Sequence, residues 1–128
     1  MNKLTRIILY SLAVTFIIGL TGCTSDVEEI LAETNIEGIN LNDVEDGEYK
    51  GEHKAGLVEV VLDVEVQGNR ITNLNILKHN NWRGGSAEVI VDKVLKEQTL
   101  EVDVVSGATV SSKVILKAIE NALNKGVK

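Results

Sequence analysis

Leu57-Val58-Glu59-Val60-Val61-Leu62-Asp63-Val64-Glu65-Val66-Gln67-Gly68-Asn69-Arg70-Ile71-Thr72-Asn73-Leu74-Asn75-Ile76-Leu77-Lys78 is the stretch that decides the fold of this chain. Val58, Val60, Leu62, Val64 and Val66 alternate with Glu59, Val61, Asp63, Glu65 and Gln67. A period of two places one face of a strand on a core and the other in water. Gly68-Asn69 is a two-residue hairpin signal. Arg70–Lys78 is then the returning strand, with Leu74 and Ile76 inward. Toward the N-terminus, Asp46-Gly47 marks a turn, and Glu48–His53 reads as a short first strand with Tyr49, Gly51 and His53 on one face. Three strands joined in this way make an antiparallel meander.

Downstream of the hairpin the period changes. His79-Asn80-Asn81-Trp82-Arg83-Gly84-Gly85 reads as a loop. Ser86 is placed to cap a helix, in which Ala87, Ile90, Val91, Val94 and Leu95 form one stripe at i, i+3, i+4, i+7 and i+8. This helix is predicted to end near Gln98, and Leu100–Val105 to add a fourth, edge strand. A last helix begins at Thr109 or Val110, with Val110, Val114, Ile115, Ala118, Ile119, Ala122 and Leu123 as its buried stripe. Lys125 and Gly126 suit its end. The expectation is an α+β domain: an antiparallel β-meander of three to four strands with two α-helices packed on one face.

The N-terminus has a different character. Lys3 and Arg6 precede the apolar run Ile7–Gly19, which is too short for a comfortable membrane span. The run ends in Leu20-Thr21-Gly22-Cys23, which resembles the bacterial lipobox. That resemblance implies cleavage before a lipid-modified Cys23. The expected organisation is therefore a lipoprotein signal peptide over 1–22, a lipidated N-terminus and acidic tether over 23–45, and one folded domain over 46–128. Asp26–Thr34 is read as a helical turn or two within the tether. Cys23 is the single cysteine, so no intramolecular disulfide can form. Removing Lys3 and Arg6 with the signal leaves 11 Lys and Arg against 19 Asp and Glu, a net charge near −8. Such an acidic chain argues against nucleic acid and against charge-driven adhesion to anionic lipid. Its contact with the membrane is expected through the lipid, on the extracytoplasmic face of the cell membrane.

The residues richest in chemical meaning are Asp103-Val104-Val105-Ser106-Gly107-Ala108-Thr109. A small, hydroxyl-bearing turn runs into a helix start, where unpaired N–H groups and a partial positive charge make a seat for phosphate. The threonine can also carry a phosphate covalently. The same seven residues equally read as a strand-to-helix turn with a threonine cap. His53 and His79 are the two histidines, and no cysteine or clustered carboxylate joins them at ligand spacing, so no metal site is expected.

Residues 46–126 resemble the FMN-binding domain found in the C subunit of the sodium-pumping NADH:quinone reductase, the G subunit of the related ferredoxin-linked complex and flavinylated surface lipoproteins. Asp46-Gly47-Glu48-Tyr49-Lys50-Gly51 looks like the family's opening, and Gly68-Asn69-Arg70-Ile71-Thr72-Asn73 like its hairpin. His79-Asn80 matches the following loop. Asp103 to Thr109 matches the flavinylation motif at every defined position. The resemblance implies that a flavin transferase moves the FMN half of FAD onto Thr109, giving a phosphoester. In that setting Gly107 takes φ > 0 and gives clearance, Ala108 leaves room, and the N–H groups of Val110, Ser111 and Ser112 face the phosphate. Ser106 and Ser111 offer further hydroxyl donors. Asp103 is expected to serve recognition by the transferase or to order the turn, since like charges keep it from the phosphate. Trp82 has three readings: it covers the isoalloxazine ring, caps the core, or stands exposed at a partner surface. Gly84 and Gly85 either admit the ring or simply end the loop.

The function so implied is that of a membrane-anchored electron carrier rather than a stand-alone enzyme. Its partners would be the flavin transferase, a membrane quinone- or NADH-linked reductase and an extracytoplasmic electron acceptor. Three alternatives stay open: a domain that binds FMN noncovalently, an accessory subunit of a flavin-dependent reductase, and a flavin-free lipoprotein that acts as a binding module.

Overall fold

Valine- and leucine-rich alternation builds the sheet. The computed structural model describes residues 2–4, 25–81 and 85–128. In it Gly47–Ala55 (β1), Val58–Gln67 (β2) and Arg70–Asn80 (β3) form one antiparallel sheet in the order β1-β2-β3. The inward row of β2 is Val58, Val60, Leu62, Val64 and Val66, all buried except half-buried Val58. They pair with Ala55, His53, Gly51, Tyr49 and Gly47 on β1. Gly68 and Asn69 make the β2–β3 turn with φ of 59° and 62°, as a two-residue hairpin requires. The register to β3 slips at two points, between Val61 and Leu62 and between Glu65 and Val66. These irregularities leave Leu77 and Thr72 without partners in the ladder, and beyond Leu77 the alternation resumes shifted by one, so that Lys78 pairs with Val61 and His79 with inward-facing Val60.

Two helices cover one face of the sheet. Val89–Glu97 is α2, with Ile90 and Val94 buried; Thr109–Asn124 is α3, packed on β1 and β2. The expected stripe of α3 holds, with Val114, Ile115, Ala118, Ile119, Ala122 and Leu123 all buried. Burying one such aliphatic side chain is worth about 1.5–3 kcal/mol. The buried surface of α3 is wider than the stripe, since Ser111, Ser112, Leu116 and Glu120 are buried too. Close approach of α3 to the sheet depends on Gly51, where a Cβ would lie 1.9 Å from the carbonyl oxygen of Ala118.

Three local expectations are corrected. Ser86 does not cap α2: Gly85–Glu88 forms a turn of 3₁₀-helix and the α-helix starts at Val89. Leu100–Val105 is not a strand. The β3 edge is met by one side chain, Gln98, at the end of α2. Its Oε1 accepts the N–H of Ile71 and its Nε2 donates to the Ile71 carbonyl, both at 2.9 Å. An amide side chain presents a donor and an acceptor just as a peptide does, so one residue closes an edge position that a strand would have covered.

The third correction concerns the acidic stretch before the domain. The helical turns expected over Asp26–Thr34 are there, as Ser25–Glu33 (α1), but from Thr34 onward the stretch is docked on the domain rather than free. Thr34 and Val44 are buried, and Ile36, Ile39 and Leu41 pack against the core. Glu120 on α3 accepts the N–H groups of Glu37 and Gly38 at 2.7 and 3.1 Å. Lys117 donates to Asn35 O at 2.8 Å and also pairs with Glu120. Val44 bridges Val127, and Lys128 N–H donates to Asp43 O at 3.0 Å. The scattered isoleucines have neither helical nor strand period, so their burial depends on the face of α3 that the sheet leaves bare.

The readings placed on residues 5–22, Cys23, Trp82 and Gly84 lie outside the described residues. Among the described residues no helix is long and apolar enough to cross a membrane.

Candidate functional site

Val105-Ser106-Gly107-Ala108 forms the turn that ends in the site. Ala108 N–H donates to Val105 O at 3.0 Å, and Gly107 stands at φ 80° in the third position. Glycine is favoured there by conformation. Packing within the protein does not demand it, because a Cβ on Gly107 would meet no protein atom within 4 Å. The turn is tied to α3 by Ser112, whose hydroxyl donates to Ala108 O at 2.7 Å and accepts Val105 N–H at 3.0 Å.

This arrangement delivers Thr109 as the first residue of α3, exposed, and no side chain caps the helix at Ala108. Ser112 N–H bonds to Ala108 O at 2.9 Å. The N–H groups of Thr109, Val110 and Ser111 precede that bond and so have no helical carbonyl to meet. Ser106 is exposed beside Thr109, while Ala108 and Ser111 are buried and Val110 is half-buried. Ser112 is employed differently from the expectation. Its N–H and hydroxyl both serve the turn, which leaves Thr109, Val110 and Ser111 as the N–H donors toward an anion.

Asp103 is exposed, and its carbonyl accepts Lys93 Nζ at 3.0 Å. The sequence reading did not single out Lys93. It lies on α2, ten residues before Asp103, and only the packing of α2 brings its cation to the loop that leads to Thr109.

His79 is expected in a loop. It sits instead near the end of β3, opposite Val60, with its side chain 2% exposed. Its Nδ1 is 3.0 Å from Glu88 Oε1, and its buried Nε2 has no partner among the described residues. Gly85–Glu88, which carries Glu88, packs on α3. Gly85 is exposed there. His53 faces inward on β1. Burial first, and then the cation of Lys117, lower its pKa from the usual histidine value, against the opposing pull of Glu33 and Glu120. Among the described residues no three His, Cys, Asp or Glu side chains gather as a metal site would need.

Exposed hydroxyl, positive-φ turn and uncapped helix start together suit a phosphate ester. Residues 54–124 match the FMN-binding domain family. The chain belongs to that family. The match runs from β1 to the last residue of α3 and contains the whole Asp103–Thr109 segment. Over 69 residues the chain is 41% identical to urocanate reductase of Eggerthella lenta, covering 52% of this chain and 11% of that protein. The chain thus matches about a tenth of the length of that relative. In this FMN-binding flavoprotein domain the exposed Thr109 hydroxyl, the unpaired first N–H groups of α3 and the Ser112-braced turn make a set that would fit the cofactor's phosphate.

Proposed function

We propose that this flavoprotein is an electron carrier, anchored by lipid at Cys23 outside the cytoplasmic membrane, with FMN esterified to Thr109. The observation that carries the reading is the exposed Thr109 at an uncapped helix start, held by a turn whose bonds leave its hydroxyl free. In the attachment step a bond forms between Thr109 Oγ1 and the flavin-side phosphorus of FAD. The pyrophosphate bond breaks, AMP leaves, and the threonine proton is released. The remaining phosphodiester charge gains about 0.3–1 kcal/mol from the helix N-terminus. Bound FMN supplies the redox chemistry, and the protein holds it and keeps it from diffusing away.

Production of the full chain with a flavin transferase tests this reading. A denaturing gel should show flavin fluorescence in the band of the unaltered chain and of Thr72→Ala, and none in Thr109→Ala. A dark band from the unaltered chain with a competent transferase, or a bright one from Thr109→Ala, refutes the linkage.

The partial match to a urocanate reductase supports a neighbouring reading, in which the domain passes electrons to a reductase module. Purified flavin-loaded protein that turns over one specific acceptor by itself would favour that role over shuttling.

A further inference from the structure

We propose that α1 and the strap that follows it fix the domain with its Thr109 end toward the bilayer, and that the β1–β2 turn, Lys54 to Leu57, contacts lipid there. This rests on lipidation of Cys23 as put forward above.

Side-chain contacts give the direction. Lys125 donates to the carbonyl of Lys50 and Asn121 to that of Glu52, while Gly51 faces Ala118. As residue numbers rise along β1 they fall along α3. The β1–β2 turn therefore lies at the end of the domain where α3 begins, and Thr109 lies at that end too. The strap climbs the same way when followed backward. Gly38 and Glu37 bond Glu120, Asn35 bonds Lys117, and Ile30 reaches the turn, where its Cδ1 would be 2.9 Å from a Cβ on Gly56.

Beyond Ile30, α1 continues to Ser25, roughly 7.5 Å further along its axis at about 1.5 Å per residue. Only Thr24 separates Ser25 from Cys23, and two residues of extended chain reach about 7 Å at most. A lipid on Cys23 therefore has no long free linker, and it meets the domain at its Thr109 end. The surface presented there suits a headgroup region. Leu57 is 80% exposed at the turn and Lys54 is exposed beside it. Glu59, the first acid beyond the turn, is occupied by Lys78 at 2.9 Å and Asn80 at 3.2 Å. An apolar tip next to a lysine inserts at an interface while the cation stays among phosphates. A flavin on Thr109 then exchanges electrons with donors in or on the membrane.

Depth measurement on the full lipidated chain tests this in phosphatidylcholine–phosphatidylglycerol vesicles. Leu57→Cys and Lys128→Cys are labelled separately with a nitroxide, the thiol of Cys23 being blocked by its lipid. Lys128 serves as the opposite pole, since its N–H bonds Asp43 beyond the far end of α3. A relaxing metal chelated to lipid headgroups should act several-fold more strongly on the label at 57 than on that at 128. Equal effects, with lipid on Cys23 confirmed by mass, overturn the orientation and leave the anchor intact. Absence of lipid on Cys23 overturns both. Glu120→Ala combined with Lys117→Ala should release the strap and erase the difference without loss of lipid; a difference that survives overturns the role of the strap.

Discussion

The hydroxyl of Ser112 accepts the backbone N–H of Val105 at 3.0 Å, across the turn that sets Thr109 at the head of α3. The same oxygen donates to Ala108 O at 2.7 Å, so one buried side chain satisfies both sides of the turn. Ser112→Ala should leave the Val105 N–H unpaired and cost about 1–3 kcal/mol. Urea denaturation measures the loss, and a midpoint equal to that of the unaltered protein would refute the brace.

Two glycines separate clearance from conformation. Gly51→Ala puts a methyl 1.9 Å from Ala118 O and 2.8 Å from Ala122 Cβ, inside the β1–α3 contact. Overpacking of that kind costs about 1–3 kcal/mol or more. Gly107→Ala meets open space and costs only the left-handed backbone, about 1–2 kcal/mol. Thermal melts should rank Gly51→Ala as the more damaging change, and the reverse order would contradict the packing described.

Gln98 is held at φ 56° while its amide clamps Ile71. Gln98→Gly relieves the backbone but deletes the clamp, whereas Gln98→Ala deletes the clamp and keeps the backbone cost. Both variants should speed hydrogen exchange at the Ile71 amide. Protection that persists in either would show that the edge is guarded by something else.

The pKa of His53 is lowered in the fold, chiefly by burial and then by Lys117. The unfolded chain, at the ordinary value of 6.5, therefore binds the proton more readily than the native one. The associated stability is complete above that value and is lost as pH falls through the lower, folded pKa. Chemical denaturation across this window should show a declining midpoint, and His53→Gln should flatten the decline. An unchanged slope in the variant would assign the acid sensitivity to other groups.

Much of the fold was legible because it rests on local periodicity. The alternation of β2, the Gly68-Asn69 turn and the α3 stripe each name their own buried face. The place of Thr109 was legible for a similar reason, since a hydroxyl, a glycine-bearing turn and a helix start adjoin in sequence. The docked strap was not legible, because Ile36, Ile39 and Leu41 follow no period and their acidic neighbours read as solvated. Gln98, Lys93 and His79 escaped for a related reason: each meets partners that only packing brings near.

The sequence by itself determined which residues of the sheet and of α3 face a core and that the Thr109 hydroxyl stands at a helix start, because strand, turn and helix preferences act over a few neighbouring residues. Tertiary structure alone decided that Glu120 would anchor the strap through two backbone N–H groups, that Gln98 would stand in for an edge strand, and that Ser112 would turn inward to brace the loop. These are long-range pairings of polar groups. Each exists because a buried donor or acceptor must find a partner, and which partner is available depends on the whole packed chain.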